Sequence, residues 1–163
     1  DLVKDSKMYY SKDNVVLEIA YDVPINKFEV SGLGNEFYNI NARHNRPDIL
    51  FSVLRKNDMR HIMSYIYEVK CVKKSILFDG KEDSKIRSQV KDYLSFGYIE
   101  NVSNSKILKK GAIDKVIVIY PEQFEKSIDE LYGSILYLGI DPSKEGYSNN
   151  NLYLHITSLL ATI

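Results

Sequence analysis

Two apolar segments lie close together in the sequence and are separated only by a short polar run. Residues 48–54 read DILFSVL and residues 64–72 read SYIYEVKCV, with the polar residues 55–60 between them. Both segments are rich in β-branched and aromatic residues, a composition typical of strands. We therefore predict an antiparallel β-hairpin at this point of the chain, with the polar run as its loop.

The rest of the chain alternates between strand-like and helix-like patterns. Apolar residues recur at helical spacing over residues 84–99, and Asp83 or Ser84 is placed to cap that helix. Residues 116–120 read VIVIY and are ended by Pro121, which suits a strand buried on both faces. Further strands are predicted at 15–21, 27–31, 36–41 and 135–140, a turn at 31–35, and helices at 123–132 and 151–163. This order of elements predicts an α/β fold with a mixed central sheet flanked by helices.

The domain organisation follows from the absence of repeats and linkers. Because no low-complexity segment divides the chain, residues 1–163 are predicted to form one domain. Residues 1–13 are polar and without periodicity, and we expect them to be a tail or the remnant of a preceding helix. Since the sequence begins at Asp1 rather than at Met and ends in an apolar run, we expect a domain of a longer protein.

Composition limits the classes of partner and site. The 22 basic and 22 acidic side chains cancel, so an argument for a nucleic-acid partner has to rest on local clusters of charge. The single cysteine, Cys71, excludes an internal disulfide and fits a reducing compartment such as the cytoplasm. It should lie on the packed face of its strand as a small buried side chain. No window approaches the roughly 20 apolar residues that a membrane span requires.

Two carboxylates and a lysine stand out on the predicted hairpin. Asp48 follows Pro47 at the start of the first strand, and Glu68 and Lys70 are two residues apart on the second. Because side chains alternate across a strand, Glu68 and Lys70 share one face, and Asp48 can be brought beside them. Two neighbouring carboxylates suit Mg²⁺ or Mn²⁺. Lys70 is then placed to orient or activate a water, or to stabilise an anionic transition state.

A helical pair extends this pattern. Gln89 and Tyr93 are four residues apart, so on a helix they occupy one face. Taken together, these residues resemble the PD-(D/E)xK nuclease superfamily, and the Gln-x-x-x-Tyr helix resembles its RecB-like branch. Residues 116–121, with the upstream strand at 15–21, are also similar to nuclease domains related to McrC, the cleaving partner of the McrBC restriction system. The resemblance runs from about Asn14 to the end of the chain.

The resemblance implies a restriction-endonuclease-like fold and metal-dependent hydrolysis of phosphodiester bonds in DNA. It assigns Asp48 and Glu68, with the Val69 carbonyl, to Mg²⁺, and Gln89 and Tyr93 to holding DNA. It further implies a defence or repair role, with an AAA+ motor or a targeting subunit as a partner. The family often has one more acidic ligand, for which Glu18 and Glu36 are candidates, but both lie on predicted strands and neither is assigned.

Three basic clusters follow along the chain. The first two lie beside the proposed site and could line a phosphate-binding groove, whereas the third is expected to be a solvated face. They comprise Lys70, Lys73 and Lys74, then Lys85, Arg87 and Lys91, and lastly Lys106, Lys109 and Lys110.

Other interpretations of the same residues stay open. Glu68 and Lys70 could be the solvated face of an edge strand, although their apolar neighbours favour a central one. An RNA endonuclease of the same fold and a non-catalytic module that binds nucleic acid or protein are the alternative functions. We expect His44 to be a surface-loop residue and the isolated His61 and His155 to be structural.

Overall fold

The computed structural model describes residues 7–22, 24–25, 29–30, 35–38, 43–44, 46–71, 77, 80–121, 135–140 and 151–161. This part of the chain forms ten strands and two helices. They are β1 (Lys7–Lys12), β2 (Val15–Tyr21), β3 (Glu29–Val30), β4 (Asn35–Tyr38), β5 (Ile49–Arg55), β6 (His61–Val69), α1 (Gly80–Leu94), β7 (Gly97–Val102), β8 (Ser105–Lys109), β9 (Lys115–Pro121), β10 (Ile135–Ile140) and α2 (Asn151–Ala161).

A six-stranded sheet in the order β1-β2-β5-β6-β9-β10 carries the predicted hairpin at its centre. β5 and β6 pair antiparallel, with Ile49 opposite Tyr67, whereas β6 pairs parallel with β9 and β9 with β10. Parallel neighbours require a crossover connection, and α1 lies in the crossover from β6 to β9. The predicted mixed α/β fold is therefore confirmed, as are the strands at 15–21, 116–120 and 135–140 and the helix from residue 151.

Each face of this sheet is covered by a different layer. One face packs against α1 and a second sheet, in a core that includes Leu50, Ile66 and Val118 from the strands with Ile86 and Val90 from the helix. The helical residues recur at spacings of three and four, as an amphipathic helix requires. The other face packs against α2. Its core includes Phe51, Val53, Ile117, Leu136, Leu138 and Leu159. No helix in the described ranges is long and apolar enough to cross a bilayer.

The second sheet has the order β3-β4-β7-β8 and was only partly predicted. The helix predicted over residues 84–99 is wrong at both ends, since α1 begins at Gly80 and ends at Leu94. Gly97 instead begins β7, where an added Cβ would lie 2.8 Å from the Lys109 carbonyl oxygen, so the strand pairing needs a glycine there. β7 then turns into β8 through Ser103 and Asn104, both with positive φ (46° and 69°), as a type I′ hairpin turn demands.

The N-terminal segment also differs from the prediction. The predicted tail over residues 1–13 is wrong for Lys7–Lys12, which pairs antiparallel with β2 across a turn at Asp13. Pairing with the edge of β2 satisfies backbone groups in a segment whose sequence has no strand periodicity. The strands predicted at 27–31 and 36–41 appear as Glu29–Val30 and Asn35–Tyr38. The helix predicted at 123–132 and most of the turn predicted at 31–35 lie outside the described residues.

A buried polar cluster joins the two sheets. The backbone N–H of His61 donates to Glu100 Oε1 (3.1 Å), and the His61 ring lies 2.7 Å from Ser64 Oγ and against the ring of Tyr98. Ser64 Oγ is also 2.8 Å from Ser52 Oγ on β5. Each of these polar groups therefore has a partner, so His61 is structural as predicted but is not isolated.

The burial of His61 should make the stability of the protein depend on pH. Burial, and then the charge of Lys109, lower the pKa of His61 from 6.5 to about 4. Since the unfolded state then binds the proton more tightly, the stabilisation is complete above about pH 6.5 and is lost as pH falls towards 4. Between pH 7 and pH 5 this loss should amount to roughly 2 kcal/mol of unfolding free energy.

Urea unfolding of the wild type and of His61→Gln at both pH values measures this effect. Glutamine keeps a polar atom facing Ser64 but does not titrate, so the variant should lose less stability than the wild type on acidification. Carboxylates that titrate in the same range act on both proteins alike. Equal losses would show that His61 is not the titrating group.

Candidate active site

Asp48 lies at the mouth of the central hairpin, one residue before β5. Its Oδ2 accepts a hydrogen bond of 2.6 Å from the backbone N–H of Val69, the last residue of β6. One step inward Ile49 pairs with Tyr67, so the antiparallel register sets Asp48 opposite Glu68. The carboxylate of Asp48 is exposed to solvent. The hairpin thus brings the two predicted carboxylates to the same end of neighbouring strands.

Glu68 and Lys70 are held by the strand on the other side of β6. Glu68 pairs with Val118 in the parallel ladder, and the backbone N–H of Lys70 donates to the Ile119 carbonyl at 2.8 Å. β6 is therefore a central strand, as its apolar residues predicted, and Glu68 is only 4% exposed. The ammonium of Lys70 lies 3.3 Å from Glu68 Oε2, so the two side chains share one face as their spacing predicted.

The helix α1, which packs over the sheet face that carries Glu68, contributes the remaining side chains of the site. Its residues Gln89 and Tyr93 contact each other and both residues of the Glu-x-Lys pair, forming a closed ring of hydrogen bonds. Lys70 Nζ donates to Gln89 Oε1 at 3.0 Å, Gln89 Nε2 donates to the Tyr93 hydroxyl at 3.1 Å, and that hydroxyl donates to Glu68 Oε1 at 2.5 Å. Lys70 Nζ closes the ring through Glu68 Oε2. We call these four residues the polar ring.

The direction of every bond in the polar ring is consistent with ionised Glu68 and Lys70. A carboxylate only accepts hydrogen bonds and an ammonium only donates them. The Gln89 amide must then turn its oxygen to Lys70 and its nitrogen to Tyr93, because the reverse would set two donors face to face. Bonds to charged groups are stronger than neutral ones, so the polar ring fixes the side chains of β6 and α1 relative to each other.

The groups around Glu68 shift the pKa of its carboxyl in opposite directions. Burial raises the pKa of Glu68 above its ordinary value, and the charge of Asp48 adds to the rise. The hydrogen bond from Tyr93 and the charge of Lys70 act in the opposite direction. Burial, and then the bond to Glu68, raise the pKa of Tyr93 far above its ordinary value, so its hydroxyl stays protonated and keeps donating. A buried carboxylate beside a second one attracts positive charge.

The donor set fits a hard divalent cation in part. In the described ranges no three His, Cys, Asp or Glu side chains lie together, and Asp48 and Glu68 supply two carboxylates. The third metal ligand expected from the sequence, the backbone carbonyl of Val69, lies at the same end of β6. Mg²⁺ is commonly bound through one or two carboxylates with water and substrate phosphate completing its shell. Asp48, Glu68 and the Val69 carbonyl are oxygen donors of the type that such an ion prefers.

Glu18 does not supply a third carboxylate. It lies on β2 opposite Ser52, and Ser52 lies opposite Ser64, four residues before Glu68. Four residues along a strand span about 13 Å, too far for a shared ion. Glu18 instead accepts a hydrogen bond from Tyr9. Burial, and then this hydrogen bond, raise the pKa of Tyr9 to about 12.

Two contacts that the sequence did not predict anchor the segment before Asp48. Arg46 forms an ion pair with Asp22, whose backbone N–H donates to the Asp48 carbonyl at 3.0 Å. His44 is exposed, as predicted, but its ring and backbone N–H both bond to Asp92 on α1. These residues are separated by 24 and 48 positions, so no local pattern could have paired them.

The remaining predicted residues have mixed outcomes. Lys85 lies exposed on α1, whereas Lys73 and Lys74 lie outside the described residues. The prediction that Cys71 is buried is wrong, since Cys71 is exposed. β6 ends at Val69, so the alternation of strand faces no longer applies two residues later.

The hydroxyl of Tyr93 should stabilise the fold. Replacing Tyr93 by Phe removes a buried donor and leaves Glu68 and Gln89 each short of one partner, which costs about 1–3 kcal/mol of unfolding free energy. Tyr67 provides a matched control, because it is equally buried on the opposite sheet face and its hydroxyl has no hydrogen-bond partner among the described residues. Tyr67→Phe should be neutral or stabilising. Denaturant unfolding of both variants compares them, and equal effects would contradict the role of the polar ring.

Searches with this sequence and structure against protein-family models, curated proteins and solved structures gave no match.

Proposed function

We propose that this protein is a metal-dependent nuclease that hydrolyses phosphodiester bonds in DNA, acting in the cytoplasm. The observation that carries the proposal is the polar ring, which joins the Glu-x-Lys pair of β6 to the Gln-x-x-x-Tyr pair of α1 beside the carboxylate of Asp48. These five residues come from three separate segments of the sequence. Charged groups on a central strand are unusual unless they are paired or bind a ligand, which favours a site over a solvated edge.

The fold assigned to the chain is the restriction-endonuclease-like one. Support comes from the central position of the β5–β6 hairpin in a mixed sheet and from the packing of α1 over the face that carries Glu68. In open sheets of this class, ligands bind at strand ends rather than over the middle of the sheet. Asp48 and Lys70 lie at such an end.

Asp48 and Glu68, with the Val69 carbonyl, would hold Mg²⁺ or Mn²⁺. Such an ion, when bound, lowers the pKa of a coordinated water and balances charge on the phosphate. Asp48 is exposed and can contact solvent and substrate, whereas the carboxylate of Glu68 is held in one orientation by hydrogen bonds from Tyr93 and Lys70. The carboxylate pair therefore combines one accessible ligand with one that is already oriented.

Lys70 is the cation of the site. Two of its three N–H donors are engaged by Glu68 and Gln89, and its side chain remains 27% exposed. The third donor is available for a water or a phosphate oxygen. Held in this way, Lys70 can orient an attacking water or stabilise negative charge on the phosphorus oxygens without moving during the reaction.

Gln89 and Tyr93 act on the substrate mainly through other residues. Tyr93 is 1% exposed and its hydroxyl is engaged by Glu68 and Gln89, so it orients the carboxylate rather than covering a DNA strand. Gln89 is half-buried and orients Lys70. Lys85, exposed on the same helix, remains a candidate contact to phosphate, with Lys73 and Lys74 predicted beside it. Target selection is assigned to a partner, such as an AAA+ motor or a targeting subunit of a defence system.

Cleavage of plasmid and linear DNA with Mg²⁺ or Mn²⁺ tests the proposal. Asp48→Asn and Lys70→Met should each lower the rate by about 100-fold or more, because each removes a charge that acts on the transition state. Asp13→Asn and Lys12→Met are matched controls that remove the same charges at exposed positions, and both should cut like the wild type. Cutting that survives Asp48→Asn would place the chemistry elsewhere.

The alternative functions give different results in the same assay. Faster cleavage of a matched RNA strand would identify an RNA endonuclease. A module without catalysis would cut neither substrate and would give no heat on titration with Mn²⁺, whereas the nuclease should bind Mn²⁺ and lose that binding in Asp48→Asn.

A further inference from the structure

An open cavity of about 380 Å³ lies between the end of α1 and the outer face of the second sheet. Its lining is mostly apolar, with one lysine at the rim. The lining residues are Tyr38, Leu94, Ser95, Gly97, Leu108, Lys110 and Gly111. A cavity of this size accommodates a small ring system and is at the lower end of the range for ligand sites.

The cavity exists because a glycine interrupts a row of side chains. Gly97 on β7 pairs with Tyr38 on β4, and its neighbour Tyr98 pairs with Lys109 on β8. Tyr38 and Lys110 therefore flank a position that has no side chain. A Cβ added to Gly97 would lie 3.4 Å from Leu108 Cδ1, so the Leu108 side chain extends towards Gly97 and forms one wall of the cavity.

The walls combine flat apolar surface with positive charge. Tyr38 is 40% exposed although it is a large aromatic, and Leu108 is more exposed still. Alternation along β8 puts Lys106 on the same face as Leu108. Lys106 and Lys110 are exposed, and neither pairs with a carboxylate among the described side chains, whereas Lys109 binds Glu100. An aromatic flanked by unneutralised lysines is complementary to a base with its phosphates.

We propose that this cavity binds one unpaired nucleobase of a DNA strand, with its ring stacked on Tyr38 and its flanking phosphates on Lys110 and Lys106. The assignment to DNA rests on the proposed nuclease function. Base stacking on an aromatic does not depend on sequence, because every base has a π-face, so the cavity would select single-stranded over fully paired DNA.

α1 connects this cavity to the candidate active site. Gln89 and Tyr93 belong to the polar ring, and Leu94 and Ser95 line the cavity. Gln89 and Leu94 are five residues apart, or about 8 Å along the helix axis. That span corresponds to roughly two nucleotide steps of a stacked strand. Five residues also turn the helix by about 140°, so a strand that passes partly around α1 can place a base in the cavity and a phosphate towards the polar ring.

Fluorescence anisotropy with a labelled single-stranded DNA, and with the same sequence as a duplex, tests the proposal on the full chain in EDTA, which prevents cleavage. Tyr38→Ala should weaken single-strand binding about tenfold, and Tyr38→Phe should leave it within about twofold, because stacking needs only the ring. Lys110→Ala should weaken binding and reduce its salt dependence. Tyr10→Ala is the matched control, since Tyr10 is also an exposed tyrosine (55%, against 40% for Tyr38) but lies on β1, an edge strand of the other sheet.

Other occupants of the cavity give distinct results. If Tyr38→Ala and Tyr10→Ala bind the single strand equally well, the inference is overturned. Tighter binding of a matched RNA strand would overturn the assignment to DNA. A dimer in sedimentation velocity that Tyr38→Ala dissociates would assign the surface to a second copy of the chain and reject the nucleobase.

Failure of this inference can be told apart from failure of the proposed function. Cleavage that depends on Asp48 but single-strand binding indifferent to Tyr38 would reject the cavity alone. Loss of single-strand binding in Tyr38→Ala, in a protein that cuts no substrate with either metal, would support the cavity and reject the nuclease.

Discussion

The carboxylate of Glu68 is buried, and a buried charge is stable only where other groups replace the water it has lost. Tyr93 and Lys70 supply those groups, and Gln89 links them into a closed ring. The ring requires that α1 lie directly over the end of β6. The position of the helix and the orientation of the Lys70 side chain depend on this requirement, while the parallel pairing of β6 with β9 holds the backbone of Glu68 and Lys70.

A second set of buried polar groups, around Glu100, fixes the two sheets relative to each other. Glu100 on β7 accepts the backbone N–H of His61 on β6 and lies near the cations of Arg60 and Lys109. Apolar contacts alone tolerate small shifts between layers, whereas directional bonds to a buried carboxylate do not. The second sheet is thereby held in place, and with it the gap at Gly97 beside the end of α1.

Residues near in sequence were predicted well, and residues brought together from a distance were not. The hairpin of β5 and β6 and the pairing of Gln89 with Tyr93 depend on alternation and helical spacing, which act over a few residues. The helix boundary was misplaced because residues 95–99 contain apolar side chains at positions that suit either a helix or a strand. Contacts with β4 and β8 decided in favour of the strand. The turn at Ser103 and Asn104 lies beyond that helical pattern and was not predicted.

The sequence by itself determined which strands are apolar, that Glu68 and Lys70 share a face, and that Asp48 begins the neighbouring strand. These properties follow from chain geometry, because the period of a strand and the loop length of a hairpin leave few alternatives. Only the tertiary structure decided that Tyr93 donates to Glu68, that Asp92 and Asp22 anchor the segment before Asp48, and that Gly97 leaves a cavity between Tyr38 and Lys110. Such contacts depend on how separate elements pack, and the burial of side chains far apart in sequence sets that packing.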